Sequence, residues 1–471
     1  MTGMSVRPYW ELRFDAHGDV NTRPRDRLLE QAAQQGLTDL VVFAHGWNNT
    51  RTMATRLNDR FFAPFPGLLG EAGRTRLGYV GVVWPAMRFA DESLGGIPRE
   101  EAPGAPPGPD ADTPPGQPPG LDPDTHRALD AVFPGRQQIV ARLAELLAER
   151  PERLAALDEF AVLLRGLVGV RGMSGGAGAA ADPGAEADED EDEDGVPAMF
   201  GEDVTEVCER FAAALAEARG KTGAEDPAVF DSGLGGLWDG AHELLRQGTY
   251  YVMKRRAGTV GREGLGPVLG ALAALRPAPR LHLVGHGFGG RLVSFALTGP
   301  VEGAAMASVT LLQGAFSHHA FAERLPHAAD RGGALRDVPR RVGGPVVCCH
   351  SRHDTALGLL YPVASRMSWG ERVSWGERVS WDERVSWDDG SLLPGDVRWG
   401  AIGYDGVQAV ADCPRLELAE ALDGPFPARG CVSVDVSEVV RHGVPPAGAH
   451  GDICHEELAR LVLRAGRIGA G

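Results

Sequence analysis

The sequence predicts an α/β fold: a mostly parallel central sheet flanked by helices, with a helical cap insertion and disordered linkers. Three observations predict it. Short, continuously apolar runs rich in β-branched and aromatic residues recur at Asp39–Ala44, Gly78–Trp84 and Leu281–Val284, as expected of strands buried on both faces. Stretches of helical spacing separate these runs, so the strands are joined by crossovers and lie parallel. The chain also holds 64 Gly and 34 Pro, too many for regular structure throughout.

Taken in order, Pro8–Asp15 alternates apolar and polar residues and reads as an opening strand before a His17-Gly18-Asp19 turn. Pro24 and Gly36 bracket a helix at Arg25–Gln35. The strand Asp39–Ala44 then delivers the turn His45-Gly46-Trp47-Asn48-Asn49, and a helix at Thr50–Phe62 leads to the strand Gly78–Trp84. Ile97–Asp124 is a Pro- and Gly-rich linker. Apolar residues return at helical spacing in His126–Leu147, Glu152–Val168 and Val204–Arg219, and Gly235–Arg256 reads as a helix leading back to the core. The organisation expected is a core of residues 1–95 and 250–471, a linker at 96–125 and a helical insertion at 126–249 that carries an acidic low-complexity segment at 173–196. Further strands are expected at Ala307–Leu312, Pro345–Cys349 and Cys431–Val436, and a closing helix at His455–Arg464. Between the last two strands, SWGERV at Ser368–Val373 recurs at Ser374 and, with Asp382 for Gly, at Ser380. Three copies are too few for a solenoid, so residues 366–390 read as a loop lengthened by duplication.

The chain of 471 residues is 43% hydrophobic and 24% charged, with a net charge of −17. Nine acids and no Lys or Arg fall in residues 182–194, so the remainder is only mildly acidic. That balance excludes a general nucleic-acid surface, which needs clustered Lys and Arg; Lys254-Arg255-Arg256 is a short run that reads as a solvated helix face. The acidic run reads as a solvated spacer, with docking of a basic protein partner as the alternative. Met1–Asp15 carries no apolar run flanked by a small-residue cleavage site and no stretch of about 18 apolar residues occurs, so no membrane span and a cytoplasmic location are expected. Six cysteines show no CxxC pair and no zinc-type spacing; free thiols are expected, with a Cys413–Cys431 bridge as the alternative. Neither a metal-ligand spacing nor a P-loop nor kinase motifs occur, so no metal and no cofactor are expected.

The chemistry concentrates in Leu281-His-Leu-Val-Gly285-His286-Gly287-Phe288-Gly289-Gly290 and the amphipathic run after it. An apolar strand enters a sharp glycine-rich turn and leaves it as a helix, the setting a nucleophile elbow requires. Small residues two before and two after the apex, here Gly285 and Gly289, let strand and helix approach. The segment resembles the serine-esterase and lipase side of the α/β-hydrolase family, whose elbow reads Gly-x-Ser-x-Gly. Here Gly287 stands in the serine's place. The resemblance covers residues 1–95 and 250–471 and implies that the His45-Gly46 turn belongs to an oxyanion hole, with the amides of Trp47 and Phe288 as its donors. It implies that Asp354, after the strand Pro345–Cys349, is the acid that orients the base; a helix-capping role is its alternative. The base is then His450, after the last strand, with His455 as competitor. The order of nucleophile site, acid and histidine is that of this family. Trp84 and His286 are expected to line the pocket, and His318 and His319 to line it or to cap.

Without a hydroxyl at residue 287 no acyl-enzyme forms. The expectation is a catalytically impaired hydrolase-like protein that keeps a pocket for a small acyl- or ester-like molecule. Alternatives are an active hydrolase in which His450 and Asp354 activate water, rescue by Ser294 or Ser317, and an interaction protein acting through the insert and its acidic segment.

Overall fold

The computed structural model describes residues 4–47, 49–87, 89, 120–168, 198–220, 234–299, 306–362, 365, 398–443 and 447–469. The acidic run 182–194, the repeat loop 366–390 and nearly all of the Pro/Gly linker lie outside them. Eight strands form one sheet: β1 (Tyr9–Arg13), β2 (Asp39–Ala44), β3 (Leu77–Val83), β4 (Arg280–His286), β5 (Met306–Leu312), β6 (Pro345–His350), β7 (Arg415–Glu417) and β8 (Gly430–Asp435). Their order is β1-β3-β2-β4-β5-β6-β8-β7 and every pairing is parallel. Helices cover both faces, as the sequence predicts for runs without alternation.

Period-two side-chain direction divides each strand between two cores. Leu40, Val42, Ala44, Leu281, Leu283 and Leu311 pack into one, beneath the insertion helices. Val41, Phe43, Val284, Leu312, Val432 and Val434 pack into the other, against the helix Arg51–Phe62 and the closing helix Glu456–Ala465. Both strand faces are therefore dry, and DLVVFA is buried at all six positions.

After β2 the chain builds outward through β3; from β4 onward it builds in the opposite direction through β5, β6 and β8. The reversal falls between β2 and β4, where Ala44 pairs with Gly285. Carboxyl ends of strands at such a switch point form a crevice, since the connecting segments diverge to opposite sides. The turns after β2 and β4 stand there side by side.

The insertion folds as the helices Pro123–Val132, Gln137–Glu149, Leu154–Val168, Val204–Gly220 and Leu234–Thr259. The single pattern expected at 126–147 is two helices, because Pro134 and Gly135, the latter at φ +79°, end the first. The helix Leu234–Thr259 continues without a break past residue 250, through a π-helical turn at Val260–Leu265 and into Gly266–Ala273. The edge strand β7 was not expected: three residues, two of them exposed, leave no apolar signature. All six cysteines are free, so the Cys413–Cys431 bridge is not formed.

Candidate functional site

β4 ends at His286 and the helix Phe288–Phe295 begins two residues later, with Gly287 alone as the turn between them. Gly287 has φ +54° and ψ −118°, a conformation that residues with a side chain adopt only under strain. Its N–H donates to the Leu312 carbonyl at 3.0 Å, and its carbonyl accepts from Ala315 N–H at 3.3 Å, which pins the apex to the end of β5. Gly285 and Gly289 are required by proximity. A Cβ at Gly285 would collide with the Gly289 carbonyl, and one at Gly289 with the Ala44 carbonyl.

His450 lies in a 3-10 turn at Ala449–Gly451, between β8 and the closing helix. Its Nδ1 is 2.7 Å from Oδ2 of Asp354, a carboxylate buried completely at the end of β6. With the Asp354 carboxylate at Nδ1, Nε2 faces the elbow: a Cβ built on Gly287 would stand 3.0 Å from it. Asp354 also fills the capping role, for its Oδ1 accepts from Leu357 N–H at 3.0 Å. The competing His455 is paired elsewhere, with Asp452 at 2.8 Å.

The His45-Gly46 turn is held from within. His45 is fully buried; its Nδ1–H donates to the Gly46 carbonyl at 2.8 Å, and Nε2 accepts from the Trp84 main-chain N–H at 3.4 Å. Desolvation lowers its pKa to about 4, so the ring is neutral. Trp84 stacks on that ring and donates its indole N–H to the His45 carbonyl at 2.9 Å, so it braces the turn. Asn49, whose role the sequence did not disclose, donates from Nδ2 to the carbonyls of Gly46 and Trp47 at 3.3 and 3.1 Å. His286 is buried against His450, with ring centroids 4.8 Å apart.

Trp47 and Phe288, expected to offer their amides, meet through their rings at 6.1 Å. Phe288 opens its helix, and the first amides of a helix have no carbonyl partner within it. Tyr250, from the long helix of the insertion, packs 4.6 Å from Phe288 and 5.3 Å from Trp47. No local motif marked Tyr250; its place follows from the path of a helix that meets the elbow helix through tertiary contacts, among them the Arg291 Nε–H to the Lys254 carbonyl at 3.1 Å. Ser317 accepts from His319 N–H at 3.1 Å, Ser294 is buried in the helix after the elbow, and His318 pairs with Asp405 at 2.9 Å.

Among the described residues no group of three or more His, Cys, Asp or Glu is arranged to hold a metal ion. No helix among them is long and apolar enough to cross a membrane. Comparison of the chain with protein-family models, with curated proteins and with solved structures gave no match.

Proposed function

We propose that this chain is an α/β-hydrolase-like protein that keeps the general base and its orienting acid but has lost the nucleophile. In this reading it binds a small acyl- or ester-like molecule at the β2–β4 crevice and turns it over poorly. The observation that carries the reading is the alignment of His450 on Gly287, with Nε2 3.0 Å from the point where a serine's Cβ would stand. A histidine backed by a buried carboxylate and aimed at a strained strand-to-helix apex is the arrangement that takes a proton from a hydroxyl there. Glycine removes the hydroxyl and also tolerates the positive φ best, so the scaffold survives the loss.

The test is hydrolysis of p-nitrophenyl esters by the native chain and by Gly287→Ser. Triads without their nucleophile lose up to roughly a million-fold in rate, so weak native turnover and a gain of at least about a thousandfold in the variant are expected. Vigorous native turnover, or a folded variant that stays inert, would defeat the reading.

A second reading has one observation in its favour. The His450 side chain is 23% exposed although its carboxylate partner is wholly buried, so a water can reach the base and attack a bound ester directly. Turnover by that route would resist serine-directed phosphonates and vanish in His450→Ala.

A further inference from the structure

We infer that His286 is the positioning residue that holds the His450 segment over the Gly285–Gly289 turn. The inference rests on reading Gly287, His450 and Asp354 as one site. His286 ends β4 immediately before the apex, with 4% of its surface exposed. Its Nε2–H donates to the main-chain carbonyl of His450 at 2.8 Å. On its other side, Nδ1 lies 2.9 Å from the point a Cβ on Gly46 would occupy. One ring thus touches all three segments that build the site: the elbow to which it belongs, the His45-Gly46 turn and the His450 loop.

The hydrogen bonds of the His450 loop show why this contact matters. Ala449 N–H donates to the His353 carbonyl at 2.9 Å, and Ala356 N–H donates to the Ala447 carbonyl at 3.3 Å. With the His450–Asp354 bond, these join the base to its acid as one unit. Sheet pairing of β4 with β5 and of β5 with β6 sets the coarse placement of that unit, and the His286 bond adds a direct tie between the His450 main chain and the strand end that carries Gly287.

The chemistry of the ring suits a fixed strut. Burial, and then the neighbouring His450, hold its pKa down to about 3, so it stays neutral through the physiological range. A carbonyl at Nε2 assigns the proton to that nitrogen. Nδ1 is then an acceptor, and it is buried without a hydrogen-bond partner.

The experiment uses the intact chain with labelled histidine and glycine, and reads the nuclear Overhauser contact between the Gly287 α-protons and the His450 ring. Three variants separate donor from bulk. In His286→Gln a side-chain N–H can still reach the position of Nε2, and the contact is expected to persist. In His286→Asn the amide is one bond too short, and in His286→Leu there is no donor; in both the contact is expected to be lost while the His450 Nδ1–H resonance remains. Should the leucine variant fail to fold, the Asn and Gln variants decide between them. A native-strength contact in the folded Asn variant, or its loss in the folded Gln variant, overturns the inference. Within Gly287→Ser, His286→Asn is expected to lower kcat roughly 10- to 100-fold with KM little changed, the usual effect of a displaced catalytic group. Failure of Gly287→Ser to turn over esters would count against the hydrolase-like reading and leave the contact measurements to judge His286 separately.

Discussion

His450 Nδ1 stands 2.7 Å from one oxygen of Asp354, while the other oxygen of that carboxylate accepts the Leu357 N–H at 3.0 Å. Holding the His450 ring and capping the following turn are therefore two uses of one side chain, and they separate by substitution. Asp354→Asn keeps an oxygen for Leu357 but cannot both cap and accept from His450. In a Gly287→Ser background its esterase rate is expected to fall about 10⁴-fold, the loss typical of a wrongly oriented imidazole. Asp354→Ala should lose a similar share of rate and, in addition, roughly 1–2 kcal/mol of stability through the missing cap. Esterase kinetics beside urea unfolding check both; equal stability of the two variants would contradict the capping role.

Gly287 gives a stability expectation that needs no activity. At φ +54° any side chain is strained, and a Cβ there must displace His450 by a few tenths of an ångström. Gly287→Ala is expected to lower stability by about 1–3 kcal/mol, measured by chemical denaturation. A neutral or stabilising effect would show that the apex is not the strained turn described.

How much of this was legible beforehand depended on whether a signal was local. DLVVFA, buried on both faces, and the strand-turn-helix around Gly287 carry their structure in consecutive residues, and β2 spans the very residues expected. His450 stands out in the sequence by its place after the last strand, and its meeting with Asp354 spans 96 residues. Tyr250 and Asn49 had no such signal. Tyr250 reaches Trp47 and Phe288 through packing of the insertion on the elbow helix, and Asn49 bonds to the main-chain carbonyls of Gly46 and Trp47. Trp84, at the end of β3, stacks on His45 in the neighbouring turn after β2, a contact that no local pattern announces. The edge strand β7 forms by pairing with β8 and not by any apolar pattern of its own.

Burial of neutral histidines sets a pH dependence. Desolvation lowers His45 from its ordinary 6.5 to about 4, and His286 to about 3. In the unfolded chain both rings protonate near 6.5, so between that value and the folded ones the unfolded state binds more protons. Their contribution to stability is therefore complete above about pH 7 and is lost as pH falls from 6.5 towards 4 and below. For His45 alone the full loss is on the order of 3 kcal/mol. His45→Asn retains a donor for the Gly46 carbonyl but does not titrate. It is expected to flatten the fall of the unfolding midpoint between pH 6.5 and 4.5, and an unchanged slope would remove His45 as a cause.

Two glycine-to-alanine changes should act in opposite directions. Gly289 follows the apex, and a methyl there would drive into the carbonyls of Ala44 and His45, pushing the end of β2 away from the elbow helix. Main-chain atoms of a central strand cannot step aside without breaking the pairing of Ala44 with Gly285. Gly289→Ala is therefore expected to cost at least about 3 kcal/mol, in the range of severe overpacking, and to separate the His45-Gly46 turn from Gly287. Gly270 sits inside the helix Gly266–Ala273, and a methyl there would meet nothing within 4 Å. Replacing it with alanine restricts the unfolded chain and favours the helix, so a gain of about 0.5–1 kcal/mol is expected. Thermal unfolding of the pair decides the matter: tolerance of alanine at residue 289 would mean that the two strand ends do not approach as closely as the site requires.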